Sequence, residues 1–239
     1  ITVGKTGEAF SSVTETDGIY QPVYAVGNVP DTHYVITAVG DIYTPDGTLR
    51  YQDEQVVARL QTGRDGTATT EPLYLGTFKI CEEKAAYGMV ISSEIKTVEL
   101  TYAGENVAVT STETSFYNER QKAELSLSKI LEQNELFGIG GNGEILSVQF
   151  GLFAAEDLTA ADGLVIPKDG LLEIVNCAEN GKAVFKTDIP VGAKLYVKEI
   201  AVDEHYLLSD EKYPVEFVYA GQDLSLIHIS EPTRHLRIS

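Results

Sequence analysis

Five polar side chains stand where a β-strand would turn them toward an apolar interior: Lys5, Glu82, Asn118, Lys129 and Glu199. In Phe78-Lys79-Ile80-Cys81-Glu82-Glu83-Lys84-Ala85-Ala86-Tyr87-Gly88, strand period puts Phe78, Ile80 and Glu82 on one face. Ile1, Val3 and Lys5 form a second such row, and Asn118 shares a face with Phe116. The pattern returns as Leu125, Leu127, Lys129 and then as Leu195, Val197, Glu199. An isolated buried carboxylate is costly, so a glutamate in such a row is either paired or protonated. Taken singly, each residue reads as a surface group at a strand end. Together, two of them twice over, they point to a buried Lys–Glu–Asn constellation.

Other chemistries find less support. Gly138-Ile139-Gly140-Gly141-Asn142-Gly143 matches G-x-G-x-x-G, but a dinucleotide loop must open a helix. Here Glu144 to Phe150 reads as a strand, so a turn between strands is expected. His33 and His205 stand without metal-ligand spacing, and Ser92-Ser93 has no paired histidine for nucleophilic hydrolysis. No D-x-[DN]-x-[DN]-G loop offers a calcium site, so neither metal nor cofactor is expected. Cys81 and Cys177 lie in different repeats and read as two free thiols. The formal charge of -18 argues against nucleic acid and anionic lipid as partners. No membrane-spanning run is visible, so no membrane insertion is expected.

The chain that carries these residues reads as all-β. Of its 239 residues 43% are hydrophobic, enough for packed cores. Strands are expected at Tyr34–Ala38, Gln55–Leu60, Leu73 into the Glu82 row, Val90–Ser92, Thr97–Tyr102 and Val107–Tyr117. Gly7 to Asp31, with Pro22, Pro30 and three glycines, reads as a turn-rich segment. The second half repeats this order. Asp41 and Asp157 are 116 residues apart, Asp65-Gly66 answers to Asn180-Gly181 at 115, and Glu82 answers to Glu199 at 117. Val98-Glu99-Leu100-Thr101-Tyr102-Ala103-Gly104 answers to Val215-Glu216-Phe217-Val218-Tyr219-Ala220-Gly221, again at 117. A near-constant offset with matching turns indicates two copies of one β-unit. Residues 1–118 and 119–223 are therefore expected as two tandem Ig-like β-sandwiches, joined at a polar hinge near Asn118–Lys122. The opening Ile1-Thr2-Val3, without a start Met, reads as an internal fragment. Residues 224–239, LSLIHISEPTRHLRIS, resemble a translated sequencing adapter and are expected to be a non-native tail, leaving the second sandwich without its closing strand.

A Lys-bearing first strand, an aromatic-x-apolar-x-Glu-x-x-Ala-x-x-Gly strand and a closing strand with Asn resemble the Cna B-type or SpaA-like prealbumin-like domain of Gram-positive surface adhesins and pilins. The resemblance covers residues 1 to 223. Ala86 departs from the family's usual Pro and Met89 from its Tyr, and the second repeat keeps only the Glu of that motif, Ala201-Val202-Asp203-Glu204-His205 diverging.

Carried over by position, the resemblance implies an intramolecular isopeptide bond between Lys5 and Asn118 with Glu82 as the catalytic acid. Burial disfavours the charged forms of amines and carboxyls alike, which suits that chemistry. The reaction would occur once, as maturation, so no turnover enzyme is implied. In the second repeat Glu199 is the matching acid, and Lys129 is left without a partner because the 117 offset places His235 at the position of Asn118. The implied role is a structural stalk module of a cell-wall-anchored surface protein, extracellular, with neighbouring domains of that protein as partners. The alternative is a binding module that recognises host extracellular matrix or glycan through loops such as Gly7 to Asp31.

Overall fold

A computed structural model describes residues 1–236 as two compact units. Unit 1 comprises Ile1–Ala9, Ala25–Gln121 and Gly221–Ser225; unit 2 comprises Phe10–Tyr24, Lys122–Ala220 and the chain from Leu226. In chain order the strands are β1 (Thr2–Thr16), β2 (Ile19–Asn28), β3 (His33–Ala38), β4 (Ile42–Tyr43), β5 (Leu49–Tyr51), β6 (Val56–Gln61), β7 (Thr67–Thr69), β8 (Gly76–Lys84), β9 (Ile95–Leu100) and β10 (Glu113–Asn118). They continue as β11 (Lys122–Leu131), β12 (Gln149–Ala154), β13 (Leu158–Thr159), β14 (Val165–Ile166), β15 (Leu171–Asn176), β16 (Lys182–Phe185), β17 (Lys194–Ala201), β18 (Lys212–Glu216) and β19 (Leu226–Leu236). Among the described residues no helix is long and apolar enough to cross a membrane.

Unit 1 packs an antiparallel sheet, β6-β3-β8-β9, against strands β7, β1 and β10. Its first and last strands, β1 and β10, run parallel, from Thr2 beside Glu113 to Gly7 beside Asn118. Inward rows follow the alternation: Ile1, Val3, Tyr34, Ile36, Phe78, Ile80 and Phe116 are buried together. Each such side chain, fully buried, contributes about 1.5–3 kcal/mol.

Apart from β2, which has no counterpart there, unit 2 repeats the plan. Its sheet is β15-β12-β17-β18, and its second layer is β16-β11-β19, with β11 antiparallel to β16 and parallel to β19. Leu125, Leu127, Phe150, Leu152, Leu195, Val197 and Phe217 fill its core. The turns noted in sequence have the same task in both units. Gly66 and Gly181 have positive φ, and an added Cβ would lie 2.7 Å from the Lys5 carbonyl oxygen and 2.2 Å from that of Lys129. Glycine is required there both for the left-handed backbone and for the close approach.

Several expectations need correction. Gly7 to Asp31 is mostly the paired strands β1 and β2, not a run of turns. Asp17 and Gly18 both have positive φ, which suits a two-residue hairpin turn, and this Asp-Gly signal outweighs Pro22. Val90–Ser92 is not a strand, because the amides of Val90 and Ile91 donate to the carbonyls of Glu119 and Gln222 instead of a ladder. Residues 107–112 lie outside β10, which starts at Glu113. Glu144–Ser147 forms a 3-10 turn and β12 starts only at Gln149. The second sandwich does not lack a closing strand. The adapter-like stretch supplies β19 in the slot that β10 fills in unit 1, because Ile227 and Ile229 alternate as a strand requires and pack against the unit 2 core.

Candidate functional site

Lys5 on β1, Glu82 on β8 and Asn118 on β10 converge inside unit 1. Strand alternation delivers each of them at the end of an apolar row, and all are buried, at 1%, 8% and 1% exposure. Lys5 Nζ donates to Glu82 Oε2 at 2.8 Å and to Asn118 Oδ1 at 2.5 Å, while Asn118 Nδ2 donates to Glu82 Oε1 at 2.5 Å. The three side chains thus form a closed triangle. The backbone around it is fixed as well. Lys5 N donates to the Gly66 carbonyl at 2.7 Å, Val29 N donates to the Lys5 carbonyl at 3.0 Å, and Ser92 N donates to Glu82 Oε2 at 3.4 Å.

Aromatic rings close the surroundings. Lys5 Nζ lies 5.9 Å from the ring centroids of both Tyr34 and Phe116, which are themselves 5.1 Å apart. Tyr34 sits opposite Glu82 in the β3–β8 ladder, and its buried hydroxyl has no hydrogen-bond partner among the described residues. Burial lowers the Lys5 pKa below its ordinary value, against the opposing pull of Glu82. That same burial raises the Tyr34 hydroxyl. The arrangement places a weakened ammonium, a carboxyl group and a carboxamide in direct contact, in a dry setting where proton transfer among them is short-range.

The motif's departures, Ala86 and Met89, are buried with Val29 and Ala85 in a small separate cluster. Gly88 between them has positive φ, and its carbonyl accepts from Gln121 N at 2.8 Å.

In unit 2, Lys129 Nζ lies 2.9 Å from Glu199 Oε1, both side chains being buried. The contact is an ion pair by distance without hydrogen-bond geometry. Ser209 N donates to Glu199 Oε2 at 3.0 Å, as Ser92 does to Glu82. Cys177 lies in the same core, its thiol pushed up to about 11 by burial, which outweighs the opposing pull of the Lys129 charge and is helped slightly by Glu199. Both cysteines are free thiols. The side chain of His235 lies outside the described ones.

Among the described residues no group of three His, Cys, Asp or Glu could hold a metal ion. His205 Nδ1 lies 2.6 Å from Asp203 Oδ1, a pairing two residues apart on an exposed turn. The triangle also shows what sequence reading missed. Tyr34 and Phe116 stand out only as apolar strand residues, and nothing in the sequence marks them as the walls of the Lys5 site.

No curated protein is similar in sequence to this chain. Residues 34–115 match the family described as SpaA, prealbumin-like fold domain. Among solved structures, the Bacillus anthracis TIE protein overlaps 99% of this chain at 16% identity with a TM-score of 0.59, and the chain spans 33% of that protein's length. The minor pilin of Streptococcus agalactiae overlaps 98% of this chain and 95% of its own at 14% identity, with a TM-score of 0.30. For the shaft pilin SpaA of Lactobacillus rhamnosus GG the figures are 97%, 96%, 13% and 0.31. The first overlap is close enough to show a shared fold; the other two are not.

Proposed function

We propose that this chain, whose residues 34–115 match the SpaA prealbumin-like fold domain, is a structural stalk segment of a bacterial cell-surface protein. In this reading unit 1 is braced by an autocatalytic isopeptide bond between Lys5 and Asn118. The observation that carries the proposal is the closed Lys5–Glu82–Asn118 triangle, with contacts of 2.5 to 2.8 Å in a buried interior.

The chemistry balances without a cofactor. Neutral Lys5 Nζ attacks Asn118 Cγ, forming the new N–C bond. Glu82 Oε2 first takes a proton from the attacking nitrogen, and the carboxyl then gives one to Nδ2 from the Oε1 side as the Cγ–Nδ2 bond breaks. Ammonia leaves and the carboxyl finishes in the protonation state in which it began. Each Glu82 oxygen is already hydrogen-bonded to the nitrogen it would serve. The carboxyl therefore acts on the leaving nitrogen, whereas polarising the carbonyl oxygen would require it to face Oδ1.

Intact mass tests the proposal directly. The wild-type chain is expected to weigh one ammonia less than its sequence, with one Lys5–Asn118 cross-linked peptide after digestion. Glu82→Gln, similar in volume but unable to relay protons as an acid, is expected at full mass. A wild-type mass equal to the sequence value overturns the proposal. The stalk role has a separate check, since a stalk segment binds neither collagen nor glycan arrays.

A further inference from the structure

Strand β1 belongs to unit 1 as far as Ala9 and to unit 2 from Phe10, and the chain returns to unit 1 at Ala25. The intervening hairpin tip has no strand counterpart in the second repeat, where β11 is followed by loop and a 3-10 turn. Within unit 2 the tip is fixed by specific bonds. Ala161 N and Asp162 N donate to the carbonyls of Phe10 and Ser11, each at 3.1 Å. Gln21 Nε2 donates to the Leu172 carbonyl at 2.6 Å and Tyr24 Oη to that of Asp188 at 3.0 Å. Ile19 pairs in parallel with Leu171, the first residue of β15, and Phe10, Val13 and Tyr20 pack against the unit 2 core. The tip thus covers the start of an edge strand whose backbone groups would otherwise be open to pairing.

We propose that the start of β15 and the neighbouring Ala160–Gly163 turn form a β-hairpin acceptor, and that its ligand is the chain's own segment Phe10–Tyr24. The strand that presents Lys5 in unit 1 continues as the ligand that completes unit 2. This assignment stands whether or not Lys5 is linked to Asn118.

The repeat explains why the acceptor is in unit 2. Unit 1 has the matching edge, β6, with Val56 in the ladder position of Leu171. It also has the matching turn, in which Gly47 N donates to the Thr44 carbonyl as Gly163 N does to that of Ala160. The residue after Thr44, however, is Pro45, where unit 2 has Ala161. Proline has no N–H, so the bond that Ala161 gives to the hairpin cannot be made there. Val56 is left 41% exposed.

Ala161→Pro carries the unit 1 residue into unit 2. Proline is favoured at the second position of such a turn, so the turn is kept and one donor to the hairpin is lost. Hydrogen exchange of the full chain is expected to quicken by up to about tenfold at Phe10–Tyr24 and at the start of β15, the effect of one lost hydrogen bond, with β3 and β8 unchanged. Gln21→Ala, which removes only the bond to Leu172, is expected to act on the same two segments and serves if the proline variant fails to fold. In a chain with residues 11–23 replaced by an Asn-Gly turn, a synthetic Phe10–Tyr24 peptide is expected to bind and restore protection of β15. Unchanged exchange at both segments in the point variants overturns the assignment. So does a shortened chain that protects β15 like wild type and binds no peptide.

Discussion

Tyr34 is fully buried beside Glu82, yet its hydroxyl has no partner among the described residues. Desolvating such a group without compensation costs roughly 1–3 kcal/mol, so Tyr34→Phe is expected to raise the melting temperature of unit 1. A fall would show that the hydroxyl is hydrogen-bonded in solution. Lys5 supplies a pH signature in protein that cannot link, such as Asn118→Ala. Its folded-state pKa is lowered from 10.5 because burial disfavours the ammonium. The penalty for burying that charge is fully present below the folded pKa and vanishes as pH rises from it to 10.5. Relative to the Lys5→Met, Asn118→Ala double variant, Asn118→Ala is therefore expected to gain stability between neutral and alkaline pH, read from urea midpoints. A constant gap would mean that the amine is solvated. At this scale the sequence was legible wherever alternation applied. Lys5, Glu82 and Asn118 announce themselves as polar ends of apolar rows, and the structure brings all three together. Tyr34 and Phe116 could not be picked out, because an aromatic that walls a site and one that fills a core satisfy the same strand pattern.

Between elements, the decisive relation is that β1 and β10 are parallel neighbours with Lys5 and Asn118 separated by 113 residues. A link there would fasten the first strand of unit 1 to its last. If its loop entropy resembles a disulfide's, it stabilises by roughly 5 kcal/mol, with strain able to reduce the figure. Lys5→Ala is accordingly expected to melt well below wild type and to become protease-sensitive. Equal melting curves would exclude an effective cross-link. Gly66 acts on the same bond from a distance, because its positive φ and its carbonyl hold the Lys5 backbone. Gly66→Ala is expected to lower the fraction of chains that lose ammonia as well as stability. A full yield of linked protein would show that the lysine strand finds its register without this turn. Sequence reading found the Asp-Gly and Asn-Gly turns and their spacing, but not Asp17-Gly18. The same dipeptide signal was present there, but nearby prolines and glycines suggested irregular chain.

Over the whole molecule, the internal repeat is the feature that sequence carried best, since the pairings β1–β10, β1–β7, β3–β6, β3–β8 and β8–β9 return as β11–β19, β11–β16, β12–β15, β12–β17 and β17–β18, and only the β1–β2 hairpin does not. Its limit lies in the closing strand. A constant offset of 117 points to His235 as the counterpart of Asn118. Backbone register gives a different answer. In unit 1, Lys5 faces Phe116 in the ladder and Asn118 is two residues on. In unit 2, Lys129 faces Arg234, because the register shifts by one residue between Leu127 and Lys129. Two residues on is Leu236. Such an irregularity cannot be read from an offset, because it belongs to the pairing and not to either strand alone. Neither histidine nor leucine offers a carboxamide carbon, so Lys129 is expected to remain unlinked in this chain. Leu236→Asn is expected to link it, seen as a second ammonia loss and a cross-linked peptide containing Lys129, whereas His235→Asn is expected to leave unit 2 at full mass. If His235→Asn links and Leu236→Asn does not, β19 runs without the bulge and the simple offset holds.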